Sequence, residues 1–216
     1  MLKALRPVLV LTGVFILVGF VILAYQAIRT LQELTAVEAE RDSWQQPDAI
    51  IGALNVKAGS TVVDLGSGSG YFTLKLAGKV GPDGSVIAVD LREISLAFLR
   101  MRAILKRMHN IQVIVGETDD PHLSIASVDS ILIANTYHEF SNPQSILRHA
   151  KQAMRPGGRL VIVDRVPSTE HFHASPESTE AELRGIGFDI IRREDAFLHP
   201  AGDEPWWLIV AGPPTR

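Results

Sequence analysis

The chain has 216 residues, with 21 Lys and Arg against 24 Asp and Glu, a formal net charge of −3 and no cysteine. That length fits one ordinary domain plus a short appendage. The charge balance gives no electrostatic case for nucleic acid as a partner, and the missing thiols exclude disulfides, thiolate metal sites and a cysteine nucleophile.

The first element stands apart from the rest. Between Arg6 and Arg29 lie 22 residues without a charge. As a helix they would span about 33 Å, enough for a hydrocarbon core of about 30 Å. A cleaved signal peptide is the competing reading. Its cleavage site needs small residues, whereas "AYQA" puts Tyr25 and Gln26 there. Residues 1–30 are therefore expected to form a retained transmembrane anchor. Lys3 and Arg6 precede the span, and Arg29 and Arg41 follow it. That count nearly ties, and the terminal amine tips it slightly toward an inside N-terminus. Residues 31–46 read as a polar helical linker. The domain proper is expected over 47–216, with Pro47 suited to the first turn of its opening helix.

From residue 60 the pattern alternates. Apolar, β-branched runs at 61–65, 86–90, 111–115, 129–134 and 159–164 predict strands buried on both faces. Helical patterns at about 70–80, 93–108 and 143–154 fill the gaps. This is an α/β chain with a doubly wound parallel sheet and right-handed crossovers. The end differs: a helix over 176–186, then strands over 188–193 and 206–211 with no helix between them. Those two strands are expected to pair antiparallel, giving six parallel strands and one reversed.

The segment "VVDLGSGSGYFTLKLA" places a glycine turn after the first strand and before a helix. Ligands in such sheets bind at the carboxyl ends of the strands. Gly66, Gly68 and Gly70 let backbone approach a ligand closely, and Asp90, 20 residues beyond Gly70, ends the second strand, where an acid can accept both ribose hydroxyls. A dinucleotide turn reads G-x-G-x-x-G/A, and Tyr71 stands where its last small residue belongs. Asp64 adds a carboxylate beside the turn, awkward for pyrophosphate and useful beside a cation.

With these motifs, and with "VIAVDL", "VGETDDP", "VDSILIANTYHEF" and "LRHAKQAMRPGGRLVIVDR" in order, the chain resembles class I S-adenosylmethionine-dependent methyltransferases over about residues 41–211. It is similar in particular to a branch of small bacterial members of mostly unassigned substrate. The resemblance implies a Rossmann-like seven-stranded sheet of order 3-2-1-4-5-7-6, with S-adenosyl-L-methionine as cofactor. It implies that the turn (Asp64, Gly66, Ser67, Gly68, Gly70) holds the methionine part and Asp90 with Leu91 the ribose. Glu117 would meet the adenine amino group, Thr118 would offer backbone, and Asn135 would close the set. The family commonly has Asp where this chain has Glu117. Arsenite-methylating relatives rely on cysteines, which this chain lacks.

Chemistry at the acceptor side falls to "NTYHEF" and to Asp164. Alignment of a nucleophile and exclusion of water carry most of methyl transfer, and a protonated nucleophile also needs a base. An imidazole is the side chain whose intrinsic pKa suits that task at neutral pH, which points to His138. The other reading is that it only closes the pocket. Tyr137 and Asp164 join it as candidate catalytic residues, Tyr137 chiefly as a wall. His171 and His173, together with His138, invite a metal reading, but H-x-H in a loop is ordinarily solvated, and no metal is expected. The expected function is methyl transfer to an oxygen or nitrogen, less readily a carbon, of a small or lipid acceptor, by a membrane protein whose domain faces the cytoplasm. Two alternatives stay open: an NAD(P)-binding oxidoreductase and a non-catalytic, cofactor-binding membrane scaffold.

Overall fold

A computed structural model describes residues 2–165, 174–200 and 205–214. The chain divides into two compact units, residues 1–43 and 44–216.

The first unit is helical. Helix α1 (Leu2–Trp44) runs unbroken for 43 residues, where the sequence reading had separated a span from a linker helix. Nothing between Arg29 and Trp44 is Pro or Gly. The polar stretch is laced by local bonds, Arg29 to Glu33 at 2.9 Å and Thr35 Oγ1 to the Leu31 carbonyl at 2.8 Å. The helix stops at Trp44, and Gln46, with a left-handed φ of 48°, leads into Pro47. Between Thr12 and Trp44 α1 is long and apolar enough to cross a membrane. Phe15, Leu17, Phe20 and Leu23 on it are exposed, unlike the apolar side chains of a core helix.

The second unit is a three-layer α/β domain. Its strands are β1 (Thr61–Leu65), β2 (Ser85–Asp90), β3 (Ile111–Val115), β4 (Val128–Ala134), β5 (Met154–Arg165), β6 (Asp189–Leu198) and β7 (Trp206–Gly212). They form one sheet of order β3-β2-β1-β4-β5-β7-β6. Strands β1 to β5 pair in parallel, and β7 runs antiparallel to both β5 and β6. The order and the reversed strand are those expected from the sequence.

Alternation along each strand feeds two cores. Val63, Ile131, Ile133, Leu160, Ile162 and Trp207 point to one face. Val62, Leu132, Val161, Val163 and Leu208 point to the other. The first face is covered by α5 (Pro143–Ala153) and α6 (Pro176–Ile186), through Ile146, Leu147 and Leu183. The second is covered by α2 (Pro47–Ala53) and α3 (Tyr71–Val80), with α4 (Glu93–Leu105) packed beside α3 through Leu96 and Leu99. Burying each such side chain contributes about 1.5–3 kcal/mol, which is what makes strands apolar on both faces worth their conformational entropy.

Three boundaries move. Strand β5 starts at Met154, five residues before the expected strand, because the segment through Pro156-Gly157-Gly158 bulges and the register against β4 shifts between Val128 and Ser130. Strand β6 continues to Leu198 by a register shift against β7 between Glu194 and Leu198. Helix α4 ends at Leu105, where Arg107 turns left-handed with φ 53°.

Candidate active site

The carboxyl ends of β1, β2 and β4 and the segment after β3 enclose a cleft of about 670 Å³, lined by Gly66, Asp90, Leu91, Glu117, Thr118 and Phe140 among others. Five of the residues expected to bind cofactor are thus brought together on one surface. Leu65, Val89, Pro121 and Ile146 give the cleft an apolar floor.

The glycine turn is built by close approach. A Cβ on Gly66 would fall 2.3–2.6 Å from the Thr136 side chain, so only glycine lets the exit of β4 lie against the turn. Gly70 has φ 92°, and a Cβ there would meet Leu99 of α4 at 2.3 Å. Arg102 of α4 adds a bond to the Ser69 carbonyl at 2.6 Å. Strand β1 leads into a turn clamped from two sides.

The donors of that turn point inward. The Gly66 and Ser67 N–H groups donate to the Val89 carbonyl, and Gly70 N–H donates to the Ser67 carbonyl. Gly68 N–H donates to Asp90 Oδ2 at 2.7 Å. Asp64, only 3% exposed, lies under the turn and accepts from Thr73 Oγ1, in the first turn of α3, at 2.5 Å. A carboxylate therefore already sits at the helix start where a pyrophosphate would lie, and the turn's amides are spent internally. That arrangement repels a dinucleotide and suits a ligand carrying positive charge.

Asp90 is 6% exposed and uses both oxygens. Oδ1 accepts from Arg92 N–H at 2.8 Å, beside the Gly68 bond on Oδ2. Oδ1 also accepts from Arg92 Nε at 3.3 Å, so Oδ2 is the oxygen that keeps a lone pair for a hydroxyl donor in the cleft. Glu117 and Thr118 follow β3. Glu117 N–H donates to the Asp120 carbonyl at 2.7 Å, and its carboxylate lies 3.4 Å from His122 Nε2. Asp120 itself is held below the usual carboxylate value, first by the His122 backbone amide. Ser67 Oγ and Asn135 Oδ1 are buried with no partner among the described residues. Both sit on the segments that flank the cleft, and two orphaned acceptors there match the donor-rich amino acid and nucleoside of S-adenosylmethionine.

On the acceptor side, the 3₁₀ turn Tyr137–Glu139 follows β4. His138 is 7% exposed and Asp164 fully buried. Asp164 takes the His138 backbone N–H at 3.1 Å on Oδ2, and Oδ1 lies 2.8 Å from His138 Nδ1. A carboxylate only accepts, so Nδ1 carries the hydrogen and Nε2 faces away from Asp164. Nε2 lies 3.9 Å from Oε1 of Glu139, a cleft-lining residue, and 3.1 Å from Arg165 Nη2.

Tyr137 turns the other way. It is fully buried, packs edge-on against Phe140 and Trp207, and donates its hydroxyl to Glu182 of α6. Burial, then the Glu182 bond, hold its phenol well above the ordinary tyrosine value. Its place is behind the cleft, tying the turn to α6. His171 and His173 lie outside the described residues; among the described residues no three His, Cys, Asp or Glu side chains gather as a metal site. Sequence reasoning passed over Arg165 and Thr136. Arg165 adjoins the singled-out Asp164, and a cation at a strand end beside a candidate base was a usable signal. Thr136 had none, since its packing against Gly66 is visible only in three dimensions.

A methyltransferase-domain family model matches residues 56–199, two thirds of the chain. The chain belongs to the class I S-adenosylmethionine-dependent methyltransferases. S-adenosyl-L-methionine is the cofactor of that family. It is 32% identical over 132 residues to an arsenite methyltransferase of Halobacterium salinarum, covering 59% of this chain and 33% of that protein. It is 28% identical over 110 residues to a ubiquinone/menaquinone biosynthesis C-methyltransferase of Ectopseudomonas mendocina, covering 50% and 43%. The matches thus span a third to about half of the length of these curated relatives. Among solved structures, a SAM-dependent methyltransferase from Aquifex aeolicus superposes with TM-score 0.67 at 25% identity, covering 76% of this chain and 88% of that one. A phosphoethanolamine N-methyltransferase of Haemonchus contortus, solved with S-adenosyl-L-methionine, shares the fold at 16% identity and TM-score 0.68, covering 80% and 53%.

The buried phenol has a measurable signature. Because the folded state holds the Tyr137 proton above the ordinary tyrosine value of about 10, its stabilising contribution is complete below about pH 10. It is lost as pH climbs higher, where the unfolded chain ionises first. Denaturant unfolding should show Tyr137→Phe less stable than the parent by roughly 1–2 kcal/mol at pH 8. The gap should narrow toward pH 11; a gap that widens or stays constant contradicts this account.

Proposed function

We propose that the enzyme is membrane-anchored through α1, faces the cytoplasm, and methylates an oxygen or nitrogen of a small, lipophilic acceptor, with His138 as general base. The observation that carries the reading is the grip of Asp164 on His138. A fully buried carboxylate fixes both the backbone and Nδ1 of one imidazole, on the residue before the cleft-lining Glu139. A residue that only closed a pocket needs no fixed tautomer. A base does, because its other nitrogen must present a lone pair to the acceptor proton.

The cofactor supplies an electrophilic methyl on a sulfonium. The chain's own residues do the rest. Asp90 and Leu91 hold the ribose, Glu117 and Thr118 the adenine, and Asp64, Gly66, Ser67, Gly68, Gly70 and Asn135 the methionine end. Of these, Asp64 acts from beneath the turn, through Thr73 and its negative potential. His138 Nε2 receives the acceptor proton, Asp164 balances the imidazolium, and Tyr137 fixes the turn that carries His138. The apolar floor excludes water, which strengthens each of these electrostatic interactions.

An acceptor residing at the bilayer, such as a quinone-like lipid, a lipid intermediate or a membrane protein, suits an anchored enzyme. The similarity to proteins described as demethylmenaquinone and ubiquinone/menaquinone methyltransferases supports the first of these. The similarity to an arsenite methyltransferase gives less support to its acceptor, because this chain offers no thiol. Orientation follows from supply: S-adenosylmethionine is made and kept in the cytosol. That consideration outweighs the near-tie of flanking charges.

Three outcomes are expected. Asp90→Ala should weaken S-adenosylhomocysteine binding roughly 10- to 150-fold by calorimetry, the loss of about 1.5–3 kcal/mol of charged hydrogen bonding. A folded variant with parental affinity removes Asp90 from the site. His138→Ala should lower turnover roughly 10²- to 10⁴-fold while cofactor affinity holds, and a variant keeping more than about a third of parental turnover reduces His138 to a wall. The protein should stay with membranes in alkaline carbonate, and a periplasm-dependent reporter fused after Arg216 should stay silent. Release into the supernatant, or an active reporter, refutes the anchor or the orientation respectively.

A further inference from the structure

Arg165 closes β5 with an exposed side chain, and among the described residues its guanidinium has no carboxylate partner. What it does have is His138. Arg165 Nη2 lies 3.1 Å from His138 Nε2. A guanidinium only donates, so Nε2 presents its lone pair to it, which agrees with the hydrogen on Nδ1 that Asp164 demands. The nitrogen meant to take a proton is therefore already covered by a donor. An imidazolium with hydrogen on both nitrogens would set two donors against each other at that distance. Proton abstraction at Nε2 requires Arg165 to leave.

A neutral imidazole is a weak reason for an exposed guanidinium to stay. Hydrogen bonds between a guanidinium and an oxyanion are shorter and roughly twice as strong as those between neutral groups. The group that displaces Arg165 most readily is thus one bearing, or about to bear, negative charge on oxygen. Among the described residues, Asp164 occupies Nδ1, and Glu139 Oε1 lies 3.9 Å from Nε2. Glu139 repels an anion from its own side, which leaves the Arg165 side as the place where an oxyanion is tolerated.

We infer that Arg165 is a specificity-determining residue that selects a methyl acceptor with an acidic hydroxyl: a phenol, an enol or a carboxylic acid. The inference rests on His138 being the base. Arg165 exchanges its bond to Nε2 for a bond to the acceptor oxygen, so recognition and uncovering of the base are one event. From a phenol or enol that still carries its proton, the proton then passes to Nε2, the charge left on oxygen faces the guanidinium, and the imidazolium faces Asp164; a carboxylate arrives already ionised and uses the bond to Arg165 alone. An amine attacks through its neutral lone pair, and the methylated ammonium becomes neutral, not negative, when it gives a proton to Nε2, so it leaves Arg165 without a partner and is disfavoured.

The test uses the full chain in detergent with saturating S-adenosylhomocysteine and three probes at pH 8.5: 4-nitrophenolate, benzoate and aniline. Both anions should bind the parent more tightly than aniline does. Arg165→Gln should weaken anion binding roughly 10- to 100-fold, and Arg165→Lys should restore much of it. Nitrogen NMR of labelled histidine adds a readout that a merely structural arginine would not move. The His138 Nε2 resonance should shift when 4-nitrophenolate is added to the parent and should already be displaced in Arg165→Gln. Equal anion binding by parent and Arg165→Gln, aniline binding as tight as phenolate, no anion binding at all, or an Nε2 resonance that ignores the probe would each overturn the assignment. Failure of S-adenosylhomocysteine to bind would bring down the cofactor site first, and this assignment with it. Anion binding that depends on Arg165, alongside full turnover in His138→Ala, would instead remove the base and with it the coupling inferred here.

Discussion

A carboxylate with no solvent exposure must be met by donors from the protein, and Asp164 is such a group at the last turn of β5. Its donors are the His138 amide, the His138 ring and the Arg165 amide at 2.8 Å. Two of the three come from the segment after β4, so the charge can be buried only if that segment folds back across the end of β5. The 3₁₀ turn, the tautomer of the imidazole and the direction of Nε2 all descend from this one requirement. Tyr137 completes the brace from the other side, its phenol locked on α6. The turn is pinned at adjacent residues to elements on opposite sides of it, which leaves the imidazole little freedom.

The glycine turn answers a different constraint. Backbone amides at a strand-to-helix turn ordinarily advertise for an anion. Here Val89, Ser67 and Asp90 absorb them, and Asp64 lies against the first turn of α3. The same fold that binds pyrophosphate in other hands is thereby given the opposite polarity. In the proposed reading Asp64 and Asp90 stand by the glycine turn and Arg165 stands by His138.

Much of this was legible in the sequence. Strands apolar on both faces announce themselves as short uninterrupted runs, and the absence of a helix pattern between the last two made the reversed strand readable, while the sheet order was what the family resemblance implied. Asp90 and His138 could be placed because one ends a strand and the other follows one whose end could be located; Glu117 was placed by the resemblance. What escaped has a common cause. The early start of β5 and the extension of β6 depend on register shifts, which carry no compositional mark. The continuity of α1 escaped because a change from apolar to polar looks like a boundary, whereas a helix ends only where backbone is broken. The inward turn of Tyr137 depends on Glu182, 45 residues away. Gly66 was recognisable as a glycine needed for approach, but the thing that approaches it, Thr136, was not.

The position of β7 has a consequence for the order of events during synthesis. This strand lies between β5 and β6, and every residue of it is buried, yet it lies after β5 and β6 in the chain. As the polypeptide leaves the ribosome, β1 to β5 can assemble in sequence, since each finds its neighbour among strands already made. Strand β6 cannot dock, because the slot beside β5 that separates it from the sheet is empty. Until residues 206–212 emerge, β5 carries an open, strongly apolar edge of the kind that recruits other chains. The interval between the appearance of β5 and that of β7 is therefore the stretch of its synthesis most in need of a chaperone.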